Sequence, residues 1–249
     1  MVRLYFGRCS RFVPALAIVV SMHAPIARTR AQQPSGGTDR RASVVLLDFT
    51  VTALKDAADW APLGKGIPQI LMTELSTNPD LRIVDRDRLQ TVLDELHLTQ
   101  AALVDPSTAQ RVGKIVGARY MVFGNAMIDP AKRLRLDVHG VRIETTVQEY
   151  SQKLTGKADD VLELVAQLGQ AINAKFDPTP FDAPTERNSG GSAKPTKDGL
   201  RLAMLLGSAV ELQDRHDIDG AKARVRQALA FAPENPAAKA MLLQLERGK

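Results

Sequence analysis

The sequence predicts an α/β (α+β) sandwich, a mixed sheet flanked by helices, with a small all-α module at its C-terminal end. Three observations predict it. Short apolar, β-branched runs alternate with segments of helical spacing between residues 43 and 128. Two runs within 133–156 alternate apolar and polar residues as an antiparallel hairpin does. A Pro- and Gly-containing stretch then separates this region from a tail with only helical patterns.

The run 43-SVVLLDF-49 is nearly all apolar, as expected of a central strand covered on both faces. Gly64-Lys65-Gly66 then leads into a helix over 67–79, where Ile67, Ile70, Leu71 and Leu75 recur at helical spacing; Pro68 is tolerated there as a first-turn residue. Residues 81–84 form a second strand. Leu89, Val92, Leu93 and Leu96 then line one face of a helix. Asp105 and Pro106 open the next helix as N-cap and first residue, and Gly117 closes it. A third strand covers 118–128, a hairpin pairs 133–143 with 147–156, and an amphipathic helix spans 161–176.

Residues 177–198 hold four prolines and two adjacent glycines without apolar periodicity, and are assigned as a linker. The tail, 199–249, contains a helical hairpin (199–213 and 218–236) and a third helix (237–246).

The first 31 residues have the layout of a secretory signal: Arg3, Arg8 and Arg11, then 12-FVPALAIVVSM-22, then a small-residue tail ending at Ala31. The apolar run is shorter than the ~20 residues a membrane-spanning helix needs. Cleavage is expected after Ala31, with Ala24 and Ala27 as competing sites, and residues 32–42 would then be a tether. The segment carries five of the 33 basic residues and none of the 28 acidic ones, so the remainder balances at 28 against 28. The basic pI therefore belongs to the leader, and with few aromatics no nucleic-acid partner is expected. The single cysteine, Cys9, precedes the apolar run, which argues against disulfides, thiolate chemistry and a lipid anchor at a cysteine after the signal.

The stretch 81-LRIVDRDRLQTVLDEL-96 invites a paired-carboxylate reading of Asp85 and Asp87. Residues two apart on a helix diverge by about 200°, so the pair cannot converge on one metal or substrate. As N-cap, Asp85 would accept a backbone N–H, Val84 and Leu89 would form a hydrophobic staple, and Asp87 would face the positive helix end. His97, His139 and His216 lack metal-ligand spacing, and Gly64-Lys65-Gly66 lacks the rest of a phosphate loop. No cofactor or metal is expected, and nothing points to an enzyme.

Taken together, 44-VVLLDF-49, LGKGIPQILMTEL, RIVDRDRLQTVLDEL, HLTQAALVDPSTAQRVGKIVGA, RYMVFGNAMI and LTGKADDVLEL resemble the globular domain of the CsgG curli-secretion family over about residues 43–176. That domain has an α/β fold similar to the N-terminal domain of TolB. The resemblance implies fold-defining roles for Asp48, Gly64, Asp85, Arg86, Leu89, Asp105, Pro106, Gly113, Gly117 and Gly124, and no catalytic residues. Family pores carry a lipid anchor and two long membrane-crossing hairpins per subunit, whereas residues 129–156 here suffice for one charge-rich hairpin.

The tail resembles a tetratricopeptide unit through Ala221, Ala228 and Pro233, with Ala209 and Leu212 where Gly and Tyr are usual. One and a half repeats are too few to stand alone, so the tail would pack on the α/β domain, on a second copy or on a partner. The expectation is a non-enzymatic, exported adaptor or assembly protein, periplasmic or outer-membrane associated. It would act on envelope proteins or on itself, with membrane contact at most peripheral. A curli-type outer-membrane channel subunit is the second reading, and an enzyme using Asp85 and Asp87 the third.

Overall fold

The central strand β1 (Ala42–Leu46) pairs in parallel with β3 (Leu81–Ile83) on one side and β4 (Tyr120–Ile128) on the other. These contacts come from a computed structural model that describes residues 41–176 and 198–247; the expected signal, most of the tether and nearly all of the linker lie outside the described residues. All described residues belong to one compact unit, Asp39–Lys249.

The apolar run expected as a strand over 43–49 stops short at Leu46, and a second strand that was not expected follows it. Leu47 N–H still donates to Val122 O (2.9 Å); the chain then leaves the ladder at Asp48–Phe49 and rejoins β4 as β2 (Thr50–Ala53), again in parallel. The break arises because two N–H groups bond elsewhere: Asp48 N–H donates to Gln100 Oε1 (2.7 Å) and Phe49 N–H to the Gly64 carbonyl (2.7 Å). A short helix, α1 (Ala57–Trp60), then leads to α2 (Leu63–Leu75).

Helix α2 starts four residues before the expected position, so Gly64-Lys65-Gly66 is helical and Pro68 lies inside the helix rather than in its first turn. Proline cannot donate to the carbonyl four residues back. That carbonyl is Gly64 O, which accepts from Phe49 instead. A Cβ on Gly64 would sit 2.6 Å from Phe49 O, so glycine is what allows strand and helix to approach this closely.

The chain continues through α3 (Arg86–Glu95), a 3-10 turn (Gln100–Val104) that the sequence did not signal, and α4 (Pro106–Val116). Strand β4 is followed by the antiparallel hairpin β5 (Arg133–Arg142) and β6 (Gln148–Lys157), then by α5 (Val161–Phe176). The sheet order is β3-β1-β4-β5-β6, with β2 also on β4. Alternation decides the faces: Leu134, Leu136 and Val138 of β5 are fully buried on the face that packs with α2 and α5.

The opposite face is covered over half its width. Val45, Met121 and Ile143 pack there with Leu93 of α3 and Val112 of α4. Further along, Met127 is 40% exposed and Ser151, Lys153 and Thr155 are exposed.

Three C-terminal helices, α6 (Gly199–Asp214), α7 (Ile218–Phe231) and α8 (Pro236–Arg247), complete the unit. Leu202, Leu206, Val210, Ala228 and Met241 share one apolar cluster with Val122 of the sheet and Leu71 of α2. Of the three settings open to the tail, the structure has the first, packing on the α/β part. The contact between α2 and α6 is backbone on backbone: a Cβ on Gly66 would lie 2.0 Å from Ala203 O, and one on Gly207 would lie 1.8 Å from Pro62 O.

Candidate interaction site at the strand-to-helix junction

Strand β3 is carried one step further by Val84 N–H, which donates to Val44 O (2.8 Å). Asp85 then turns extended (φ −61°, ψ 137°) and its carboxylate accepts from Asp87 N–H at 2.8 Å, capping α3. Val84 and Leu89 on either side are buried at 3% and 1% exposure, at the spacing of a staple. Asp85→Ala is expected to cost ~0.5–2 kcal/mol in urea unfolding, the range for a lost N-cap. Loss of a measurable activity with stability unchanged would instead support the enzyme reading.

Asp87 does more than face the helix end. Its two carboxylate oxygens accept from Gln213 Nε2 of α6 (2.8 Å) and Gln244 Nε2 of α8 (3.2 Å), tying α3 to the C-terminal helices. Burial pushes its pKa up, the neighbouring Asp85 charge adds to this, and the Gln244 hydrogen bond opposes both.

Arg86, 8% exposed, is the centre of the junction. Its guanidinium grips Asp48 with two N–H groups, and Nη2 also reaches Asp214 Oδ2 of α6 at 2.8 Å. Asp214 in turn meets Lys65 Nζ of α2 (2.6 Å), which contacts Glu211 Oε2 (2.5 Å). The result is an alternating chain, Asp48–Arg86–Asp214–Lys65–Glu211, that starts in the β1–β2 connection and ends on α6. Burial works against the Arg86 charge, but the hydrogen bond and charge of Asp48 and the charge of Asp214 outweigh it, and its pKa is raised. The same balance raises Lys65, where Asp214 and Glu211 overcome burial.

Glu211 is held below the usual carboxylate range, chiefly by the hydrogen bond from Lys65 and against the pull of burial. A depressed folded pKa contributes stability that is present above the unfolded value and is lost as pH falls through the folded one. Asp87, pushed up, has the opposite sign, and its protonation favours the fold. Wild type should therefore lose more stability than Glu211→Gln as pH falls from about 5 to about 3, where glutamate titrates. Parallel urea midpoints for the two proteins over that range would refute the contact's contribution.

The other residues singled out in the sequence are dispersed. Asp105 caps α4, its Oδ2 accepting from Thr108 N–H (2.8 Å) and the Ser107 hydroxyl (2.6 Å), and these hydrogen bonds lower its pKa. Pro106 begins that helix, Gly113 faces Ile143, and Gly117 ends the helix at φ 72°. Gly124 lies against the Phe49 ring. In α7, Ala221 and Ala228 are fully buried, while Pro233 is exposed in the turn before α8. His97 follows α3, His139 lies on β5 beside the Phe123 ring (5.6 Å between centroids), and His216 lies between α6 and α7. Among the described residues no three His, Cys, Asp or Glu side chains are grouped to hold a metal ion.

Sequence reasoning missed Lys65, Glu211, Gln213, Asp214 and Gln244 as partners of the junction. The available signal was Glu211 and Asp214, three residues apart and hence on one face of a helix otherwise rich in apolar residues. Missed as well was a cavity of about 340 Å³ on the half-covered face of the sheet, with Asp48 in its wall.

The family model described as "Curli production assembly/transport component CsgG" matches residues 26–127, ending before the β5–β6 hairpin. No curated protein matches the chain. Among solved structures, the LpoB C-terminal domain from Salmonella enterica is 18% identical at a TM-score of 0.38, covering 49% of this chain and 87% of that one. Lipoprotein GNA1162 from Neisseria meningitidis is 11% identical at 0.39, covering 47% and 80%. The PelC dodecamer from Paraburkholderia phytofirmans is 12% identical at 0.35, covering 55% and 89%. Likenesses this loose carry no conclusion about function. Over residues 26–127 the chain is CsgG-like, and the junction from Val84 to Leu89, with its partners Asp48 and Lys65, lies inside that stretch.

Proposed function

We propose that the protein is a non-enzymatic adaptor or assembly component of the cell envelope, exported to the periplasm and acting through protein–protein contacts. The observation that carries this reading is the use made of the junction charges. Asp85, Arg86, Asp87, Asp48 and Lys65 are all engaged in capping α3 or in joining it and α2 to the C-terminal helices, which leaves no convergent acid, base or nucleophile at the one stretch that looked like chemistry. The CsgG match supports an envelope setting. In this reading residues 1–31 are the export signal, 43–176 the CsgG-like domain and 199–249 a tetratricopeptide-like addition built onto it. Partners are envelope proteins or further copies, and membrane contact is peripheral.

The same family match favours a second reading, a subunit of a curli-type channel. Against it, residues 133–157 form the β5–β6 hairpin of the sheet, with Leu134, Leu136 and Val138 turned into the core rather than toward lipid. Cell fractionation separates the two. The adaptor reading expects the protein in the periplasmic extract, or on membranes and released by salt or carbonate. Recovery only in detergent, as a heat-resistant oligomer, would overturn it in favour of the channel.

A further inference from the structure

The cavity on the half-covered sheet face holds about 340 Å³ and is walled mainly by hydrocarbon. Leu47, Met121, Phe123 and Val141 form its floor on the sheet, and Leu103 and Ala109 face them from the 3-10 turn and α4. The volume falls at the lower end of small-molecule sites, about 300–1,000 Å³. A helix, ~10–12 Å across with its side chains, is too wide for it. Apolar walls also give ordered water few of the 2–4 partners it needs.

Asp48 in the β1–β2 connection, Thr50 at the start of β2, and Gln100 supply polar lining. Gln100 uses its carbonyl oxygen to accept from Asp48 N–H at 2.7 Å, which fixes the orientation of the amide. Its NH₂ group and the Thr50 hydroxyl have no partner among the described residues. The Asp48 carboxylate stands in the same wall, so an anionic ligand would bring a second negative charge beside it.

We propose that this cavity binds a small, uncharged, mostly apolar molecule that carries one carbonyl-type acceptor. The acceptor meets the Gln100 NH₂, and the apolar part lies on Met121, Phe123 and Val141. Recognition is then by shape and one directed hydrogen bond, with carboxylate analogues rejected by Asp48.

The test is a fluorescence titration of the purified protein with the neutral probe N-phenyl-1-naphthylamine, followed by competition with octanamide and octanoate. Saturable probe binding is expected, with octanamide the better competitor by about tenfold or more. Ala109→Phe and Val141→Phe fill the cavity from opposite sides, and each should weaken probe binding by about tenfold or more. Gln100→Leu should keep probe binding and weaken octanamide as a competitor by about tenfold, through loss of its one directed hydrogen bond, which a merely structural Gln100 would not do. The proposal is overturned by unsaturable probe uptake, by filled variants that melt like wild type and still bind equally, or by octanoate competing as well as octanamide. Should one filling variant fail to fold, the other and the Gln100→Leu competition decide.

Discussion

Gly207→Ala is expected to destabilise the protein by about 3 kcal/mol or more, lowering the melting temperature by about 6–12 °C at the ~2–4 °C per kcal/mol of a chain this size. The sign is what makes the prediction informative. In an exposed helix interior, Gly→Ala stabilises by up to ~1 kcal/mol. Here the new methyl would point at Pro62 O, 1.8 Å away, and at Pro62 C, 2.7 Å away. Both are backbone atoms and cannot rotate aside, so α6 must lift from α2 and open the apolar cluster that includes Leu202 and Leu206. Gly66→Ala, 2.0 Å from Ala203 O, should behave alike. Ser208→Ala, one residue along the same helix, loses only a hydroxyl donating to Met204 O and should change stability by no more than ~0.5 kcal/mol.

Arg86→Ala is expected to cost ~3–5 kcal/mol, the range for breaking a buried ion pair on one side. The loss is large because two carboxylates remain. Asp48 and Asp214, which the guanidinium now separates, would face one another with side chains only 23% and 20% exposed. Arg86→Lys should recover little, because an ammonium cannot hold Asp48 with two parallel N–H groups while also reaching Asp214. Replacing all three by apolar residues of similar volume (Arg86→Met, Asp48→Leu, Asp214→Leu) should recover most of the loss, since the buried charges then leave together. Equilibrium unfolding in urea measures each difference. If Arg86→Ala lay within ~0.5 kcal/mol of wild type, as ordinary surface substitutions do, the junction would not hold the helices.

What the sequence made legible follows from the range of the interactions concerned. Helices with their own caps, such as Asp105-Pro106 to Gly117, are found at the positions expected, because cap and stop are local signals. The β5–β6 alternation is likewise visible within the chain, and so is Asp85 as a cap. The start of α2 was not, because a Gly-Lys-Gly-Ile-Pro opening runs against helix propensity. Two tertiary contacts override that preference: Gly64 lets Phe49 approach, and Gly66 lets α6 approach. Strand β2 was hidden for a related reason, since its separation from β1 depends on Gln100 and Gly64 drawing off the N–H groups of Asp48 and Phe49.

The junction itself was half legible. Asp85 acts on its own helix, but Arg86 pairs with Asp214 across 128 residues and Asp87 with Gln244 across 157, and such pairs leave no period in a sequence. The alternating Asp-Arg-Asp-Arg is therefore one cap and three anchors to other helices. Asp85 starts α3, Arg86 and Asp87 fasten the C-terminal helices, and Arg88 bonds the Ile115 carbonyl of α4.

Helices α6–α8 share one apolar cluster with the sheet and α2, so they are part of the α/β unit and not a separately folded appendage. Differential scanning calorimetry of the purified protein puts this to the test. One cooperative transition is predicted, with calorimetric and van't Hoff enthalpies in agreement and with Arg86→Ala and Gly207→Ala moving the whole transition down. Two separable transitions, with these substitutions shifting one and leaving the other in place, would contradict it.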